Sequence, residues 1–383
     1  MIPGRVAYQL GIKGPALATD TACSSSLVSL SIAVSMMGGG KASLTTGFAC
    51  GCNIMLDMRA CELFQAARML AFDGRCKAMD AAADGFARGE AITSFALAAL
   101  QSHGDSRLSK GDMWPISVIR GVSINQDGRS SRLTAPNGPA QTELIADALR
   151  DGNTHPHDVQ ALMLHGTGTP LGDPIEIGAA LRCFASMKSS NDNVLQLCAC
   201  KTVVAHSEAA AGTVSLAIAV NMASRAAFPT FHLRNINGNV ARLCDHGAIH
   251  VSRTPGPTMS AAPVIGISSF ASQGTNCHIV VAHDHFISGE AVRRHERLPW
   301  APCSIWYEPA RKTCCCSAPT HQLAHPAHFP RSDSRQDSPT PILETSVGID
   351  SQLGCQFRAS GRASIRVASM RSRWSSRQVL PGG

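Results

Sequence analysis

The sequence predicts an α/β protein built in layers. Strand-like and helix-like stretches alternate through residues 1–285, and several of each read as buried. The composition agrees: 44% hydrophobic and 16% charged residues supply a core and rule out a wholly disordered, collagen-like or coiled-coil chain.

In chain order, Leu17 to Thr21 reads as a buried strand and Ser24 to Met37 as a helix of small and apolar residues. Residues 44–56 form a strand-and-turn unit, and Phe86 to Leu100 gives apolar runs interrupted by a glycine. A second set starts near Trp114. Ile116 to Ile119 is a strand, Gln141 to Leu149 a helix, and Ala161 to Leu164 a strand that enters His165-Gly166. Gly178 to Phe184 is a helix and Glu208 to Met222 a long apolar one, with late strands at Val264 to Ser268 and Ile279 to Val281. By texture the chain divides into 1–112, 113–285 and 286–383. The last part is rich in Arg, Ser, Pro and His with little sustained periodicity, and is expected to be a disordered basic tail.

Charge follows that division. The net charge is +7, but 286–383 holds 13 Lys/Arg against 7 Asp/Glu, or +6, which leaves +1 for residues 1–285. The body therefore offers no electrostatic reason to expect nucleic acid. No run approaches the roughly 20 apolar residues of a membrane span. Met1 to Arg5 lacks a hydrophobic signal core, so the expectation is a cytoplasmic protein, with a plastid left open. The 15 cysteines are odd in number and scattered, which suits reduced thiols. Cys50-Gly51-Cys52, Cys198-Ala199-Cys200 and Cys314-Cys315-Cys316 lack the paired spacing of a zinc site, and no metal is expected. Gly38-Gly39-Gly40-Lys41 is followed by Ala42 without the upstream glycine of a phosphate loop.

Three motifs carry chemistry. Asp20-Thr21-Ala22-Cys23-Ser24-Ser25-Ser26-Leu27 sets a cysteine at a helix N-terminus, where the macrodipole and unpaired N–H groups favour thiolate. Leu164-His165-Gly166-Thr167-Gly168-Thr169-Pro170, with Asp173 and Glu176 following, puts a histidine at a strand end before a hydroxyl-bearing loop. Lys201-Thr202-Val203-Val204-Ala205-His206-Ser207-Glu208 puts a second histidine ahead of an apolar helix. One reactive cysteine with two histidines in turns is a nucleophile-and-base constellation, although the cysteine alone is as readily structural and either histidine alone more often so.

These motifs, in this order, resemble the β-ketoacyl synthase family, most closely the ketosynthase domain of type I polyketide synthases. Asp73-Gly74-Arg75-Cys76-Lys77-Ala78, Ala83 to Glu90, Asn125-Gln126-Asp127-Gly128-Arg129-Ser130, Leu133 to Pro139 and Gly274-Thr275-Asn276-Cys277-His278 agree as well, from about Gly4 to Val281. The resemblance implies a thiolase-like α-β-α-β-α layered fold of two similar halves, with the N-terminal half incomplete because the family has a segment ahead of Arg5. It also implies a decarboxylative Claisen condensation. An acyl group taken onto Cys23 is joined to a malonyl-type extender on an acyl carrier protein. By resemblance Cys23, His165, His206 and Lys201 are catalytic, Thr167 and Thr169 bind the phosphopantetheine arm, and backbone N–H groups at Cys23 and near Ser272 form the oxyanion hole. Asp173 and Glu176 are expected to hold the loop after His165. No cofactor is bound directly; the partners implied are an acyl carrier protein, an acyltransferase supplied elsewhere and a second copy of the chain. Two histidines after Cys23 favour this reaction over the relatives that use coenzyme A thioesters. The alternative is a non-catalytic subunit offering only a docking surface.

Two departures from the family pattern stand out within this span. Ser272 occupies the place of a bulky phenylalanine after Phe270-Ala271, and the residues between Lys201 and His206 are unusual. In the tail, Val347-Gly348-Ile349-Asp350-Ser351 resembles the phosphopantetheine attachment site of a carrier domain, as a degenerate remnant.

Overall fold

Two helices that are apolar on every side need cover all round, and the rest of the chain supplies it. The computed structural model describes residues 2–38, 44, 46–100, 117–132, 134–184, 194–222, 228–244, 249–251, 253, 263–283, 356–359 and 363–366. Its first elements are α1 (Ile2–Leu10), α2 (Ser25–Gly38), β1 (Thr46–Asn53), α3 (Arg59–Ala66), β2 (Ala91–Leu100) and β3 (Val118–Gln126). Then come α4 (Gly138–Asp151), β4 (Val159–Met163), α5 (Gly172–Phe184), β5 (Leu195–Cys198), α6 (Lys201–Val204) and α7 (Ala211–Met222). α8 (Gly238–Cys244), β6 (Ile249–Val251), β7 (Val264–Phe270), β8 (Thr275–Ala282), β9 (Gln356–Ala359) and β10 (Ala363–Arg366) complete them.

The strands join in the order β1-β2-β9-β10-β3-β8-β7-β4-β5-β6. β3, β8 and β7 are antiparallel neighbours, whereas β4 runs parallel to both β7 and β5. The sheet curls around α2, which touches strands from β1 through β8, while α7 packs on β7 on one side and on β1 and β2 on the other. The layers therefore follow in order: β1 with β2, then α2 with α7, then the strands from β3 to β6, then α4, α5 and α8.

Alternation along the strands explains why both faces of that sheet are covered. Ile265, Ile267, Ile279 and Val281 point inward to Leu27, Leu30 and Val34 of α2 and Leu216 of α7. Val264, Val280 and Ala282 point outward to Ile145, Leu149, Ile177 and Phe184 on α4 and α5. α4 starts where its sequence says it should: Asn137 Oδ1 accepts the Ala140 N–H at 3.4 Å, with Pro139 in the first turn.

Several expectations change. Leu17 to Thr21 is not a strand; no described strand lies beside it, and its polar groups turn to the head of α2 instead. The Thr21 N–H donates to Ser25 Oγ at 2.9 Å and Thr19 Oγ1 to the Ser25 carbonyl at 3.2 Å. α5 begins six residues before the expected Gly178, because Thr169 Oγ1 accepts the Gly172 N–H at 3.1 Å and caps it there. α1, α3, β5, α6, α8 and β6 were not expected. In the tail, read as unstructured, β9 and β10 form an antiparallel pair inserted between β2 and β3. The motif around Ser351 lies outside the described residues. Among the described residues no helix is long and apolar enough to cross a membrane.

α2 and α7 meet at Gly212, where an added Cβ would stand 2.7 Å from Leu27 Cβ. The Thr213 N–H donates to Ser26 Oγ at 3.2 Å across the same crossing. Gly212→Ala is expected to push the helices apart and lower stability by roughly 1–3 kcal/mol, read from urea unfolding. An unchanged midpoint would mean that the crossing has slack.

Candidate active site

Cys23 lies in a 3₁₀ turn, Ala22–Ser24, that runs into α2. The small polar residues of this motif build the turn themselves. Asp20 Oδ1 accepts the Ala22 N–H at 3.0 Å, Ser25 Oγ donates to the Ala22 carbonyl at 2.6 Å, and Ser24 Oγ donates to the Thr21 carbonyl at 3.1 Å. Ala22 takes φ +54°, a left-handed conformation that alanine rarely adopts. From β7, Ser269 Oγ donates to the Cys23 carbonyl at 2.8 Å and pins the nucleophile's main chain.

His206 lies in the segment between α6 and α7. Its N–H donates to the Ala87 carbonyl at 2.8 Å, and its carbonyl accepts the Gly89 N–H at 2.8 Å, so residues 87–89 grip its main chain from both directions. Its Nε2 stands 3.1 Å from Cys23 Sγ. Phe86 meets the ring edge-on at 5.0 Å, and His165 meets it perpendicularly at 5.4 Å between ring centroids. His165 opens the loop that leads from β4 to α5, with the Phe270 ring 5.8 Å away. Glu176 holds it there: Oε1 accepts the His165 N–H at 2.6 Å and Oε2 the Gly166 N–H at 2.9 Å. Asp173 does the same one turn along, accepting from Met79 at 2.7 Å and from Gly168 at 3.2 Å. The loop-holding expectation for both carboxylates is borne out.

The electrostatics reverse one expectation. A helix N-terminus was expected to lower the Cys23 pKa, but burial pushes the thiol up to about 11. Lys201 works against that rise, Glu208 adds to it, and the main-chain N–H groups of Ser272 and Cys23 oppose it by facing the sulfur. Burial, with Lys201 assisting, holds both His165 and His206 well below the usual histidine range. At neutral pH the resting pair is a neutral thiol and a neutral imidazole, so Sγ must pass its proton to Nε2 as it attacks. Burial also raises Asp173 to about 6 and Glu176 to about 7.

The structure thus brings Cys23, His165 and His206 together, and sets the buried Lys201 at the start of α6, where its charge reaches all three. Ser272 is half-buried in the β7–β8 turn. That turn is held by Asp127, whose N–H donates to the Gly274 carbonyl at 2.9 Å and whose Oδ1 accepts from Asn276 Nδ2 at 2.8 Å. Thr167 is buried, and Thr169 is half-buried with its oxygen already capping α5. Sequence reasoning did not single out Ser269, Phe86, Phe270 or the Arg88–Glu208 ion pair. Phe86 and Arg88 lie inside the quoted 83–90 segment, so a signal was present for them; a lone serine inside β7 gives none.

Two backbone strains flank the site. Ala205, just before His206, takes φ +59° and ψ −174°, a region that belongs to glycine. Ala205→Gly is expected to raise stability by about 1 kcal/mol, the relieved strain less the added chain entropy, seen as a higher Tm. A lower Tm would mean the strain is not there. With Cys23 at about 11, its carbamidomethylation by iodoacetamide should climb about tenfold per pH unit and level off only near that value. A plateau below pH 8 would restore the preformed thiolate.

The comparisons with known proteins come down on one family. The model described as "Beta-ketoacyl synthase, N-terminal domain" matches residues 1–103, and that of the C-terminal domain matches residues 116–234. Erythronolide synthase EryA2 of Saccharopolyspora erythraea is 38% identical over 284 residues, covering 73% of this chain and 8% of that protein. Polyketide synthase GfsA of Streptomyces halstedii is 34% identical over 348 residues, covering 90% and 4%. Among solved structures, the module 6 ketosynthase of the bacillaene synthase from Bacillus subtilis superposes with a TM-score of 0.67 at 30% identity, over 74% of this chain and 50% of that one. The oxazolomycin ketosynthase domain OzmH KS7 of Streptomyces albus gives 0.67 at 27%, over 74% and 49%. The chain thus spans under a tenth of these two curated relatives and about half of the solved domains.

Proposed function

Since the chain belongs to the β-ketoacyl synthase family, we propose that it carries out decarboxylative condensation on Cys23, in the cytoplasm, within polyketide assembly. The observation that carries this reading is the 3.1 Å contact between Cys23 Sγ and His206 Nε2, with the His165 ring set perpendicular beside it.

In the first half-reaction, Cys23 Sγ attacks the carbonyl of an acyl thioester while its proton passes to His206 Nε2. The oxyanion that forms takes hydrogen bonds from the main-chain N–H groups of Cys23 and Ser272, the two that face the sulfur. The phosphopantetheine thiolate leaves with a proton returned from His206. In the second, a malonyl-type extender loses carbon dioxide, and the charge moves to its thioester oxygen. His165, neutral through burial, donates a ring N–H to that oxygen, and His206, also neutral, adds a second from Nε2 once its ring proton has moved there from Nδ1. The enolate carbon attacks the Cys23 thioester, and the departing Cys23 thiolate takes up one proton from solvent, the proton that loss of carbon dioxide from a carboxylate consumes. Lys201 supports both anionic stages through its field.

Thr167 and the free proton of the Thr169 hydroxyl bind the phosphopantetheine arm. The substrates arrive on an acyl carrier protein, an acyltransferase elsewhere loads the extender, and the working unit is a homodimer. The alternative of a non-catalytic docking subunit draws no support from a site in which thiol and imidazole touch.

Cys23→Ala is expected to abolish acylation by a short acyl thioester without changing the fold, measured by intact mass. His165→Ala should keep acylation within about tenfold but reduce malonyl decarboxylation by roughly 10²–10³, the usual effect of losing one such donor. Equal loss of both activities would mean that His165 acts on the nucleophile.

A further inference from the structure

The Arg88–Glu208 ion pair lies beside the site and has no part in the steps above. Arg88 sits between the two residues that grip His206, since Ala87 accepts its N–H and Gly89 donates to its carbonyl. Arg88 Nε donates to Glu208 Oε1 at 2.5 Å and Nη2 to Oε2 at 3.3 Å, a two-point contact with a residue two places beyond His206. The two side chains are 4% and 17% exposed. Arg88 is itself fixed, with Nη1 donating to Cys61 Sγ at 2.9 Å and its guanidinium 5.3 Å from the Phe64 ring centroid. Phe64 meets Phe86 edge-on at 5.8 Å, and Phe86 meets the His206 ring. The guanidinium therefore reaches His206 by three routes: main chain, carboxylate and a chain of edge-to-face rings.

The charges around the thiol give the pair a second meaning. Facing Cys23 are Lys201 from α6, the neutral His165 and His206, and Glu208 from the turn before α7. Glu208 takes φ +42°, so that turn is held in a conformation its own backbone does not favour.

We propose that Arg88 is a positioning residue for the Cys23–His206 pair: its two-point contact with Glu208 clamps the turn after His206 and neutralises a carboxylate that faces the nucleophile. The inference rests on the reading above for the roles of Cys23 and His206. A buried carboxylate left without its guanidinium repels a forming thiolate and opposes attack. Lysine keeps the charge without the planar fork and can restore only part of the effect.

The test uses the full chain and iodoacetamide, following modification of Cys23 by peptide mass spectrometry between pH 7 and 10.5. Arg88→Met is expected to slow Cys23 alkylation at pH 8 roughly three- to tenfold, as an upward shift of half to one pH unit. Arg88→Met/Glu208→Gln should return to within about twofold of the wild type, with Arg88→Lys falling between. A double variant as slow as Arg88→Met, with melting temperatures matched, would reduce the pair to a strut and overturn the charge argument. If Arg88→Met does not fold, Glu208→Gln alone decides: faster alkylation than wild type supports the proposal, and unchanged or slower alkylation overturns it. Carbon dioxide release from a malonyl thioester, measured on wild-type protein, tests the condensing reaction separately, because the alkylation pattern does not depend on it.

Discussion

The contact between Cys23 Sγ and His206 Nε2 joins residues 183 apart in sequence, and it exists because α2 and α7 cross where residue 212 has no side chain. Each partner is brought to that point by its own helix start. Cys23 sits on a turn built from Asp20, Ser24 and Ser25, and His206 on a turn gripped by Ala87 and Gly89. A methyl group at residue 212 would stand 2.7 Å from Leu27 Cβ and force the crossing wider. The sheet that curls around the two helices resists that widening, since Ile265, Ile279 and Val281 fill the space on the remaining side.

Burial sets the electrical character of the site. It makes charge costly, so both histidines remain neutral and the thiol remains protonated until an electrophile arrives. The field of Lys201 disfavours imidazolium and favours thiolate, the combination that keeps ring N–H donors available while easing attack. The carboxylates of Asp173 and Glu176 sit on the far side of the loop, each accepting two main-chain N–H groups. They fix the backbone of His165 and leave its ring free to face the nucleophile.

Much of the fold was legible because periodicity is a local signal. α2, α4, β4, α7, β7 and β8 all fall where apolar spacing put them, with boundaries shifted by a few residues. The misses have physical reasons. Leu17 to Thr21 has strand-like residues, but a strand also needs a partner, and its donors found the carbonyl and the hydroxyl of Ser25 instead. α5 starts early because one threonine hydroxyl supplies its cap, a contact that outweighs the glycine at 178. β9 and β10 come from a stretch without strand periodicity, and they exist only through pairing with β2 and β3.

The sequence by itself determined which residues could react: one cysteine in a turn of small polar residues, two histidines at element ends, and a lysine five positions before the second histidine. Those identities follow from local chemistry, and the order of the motifs was enough to resemble a family. Only the tertiary structure decided the state in which they wait. A macrodipole read from sequence favours thiolate, yet desolvation depends on every segment packed over the sulfur, and it prevails. The same holds for Ser269, which no pattern along the chain marks, and for Phe86 and the Arg88–Glu208 pair, which lie in marked segments but whose parts come from distance and burial. Residue types are written locally, whereas pKa, contact and strain are sums over neighbours that only folding assembles.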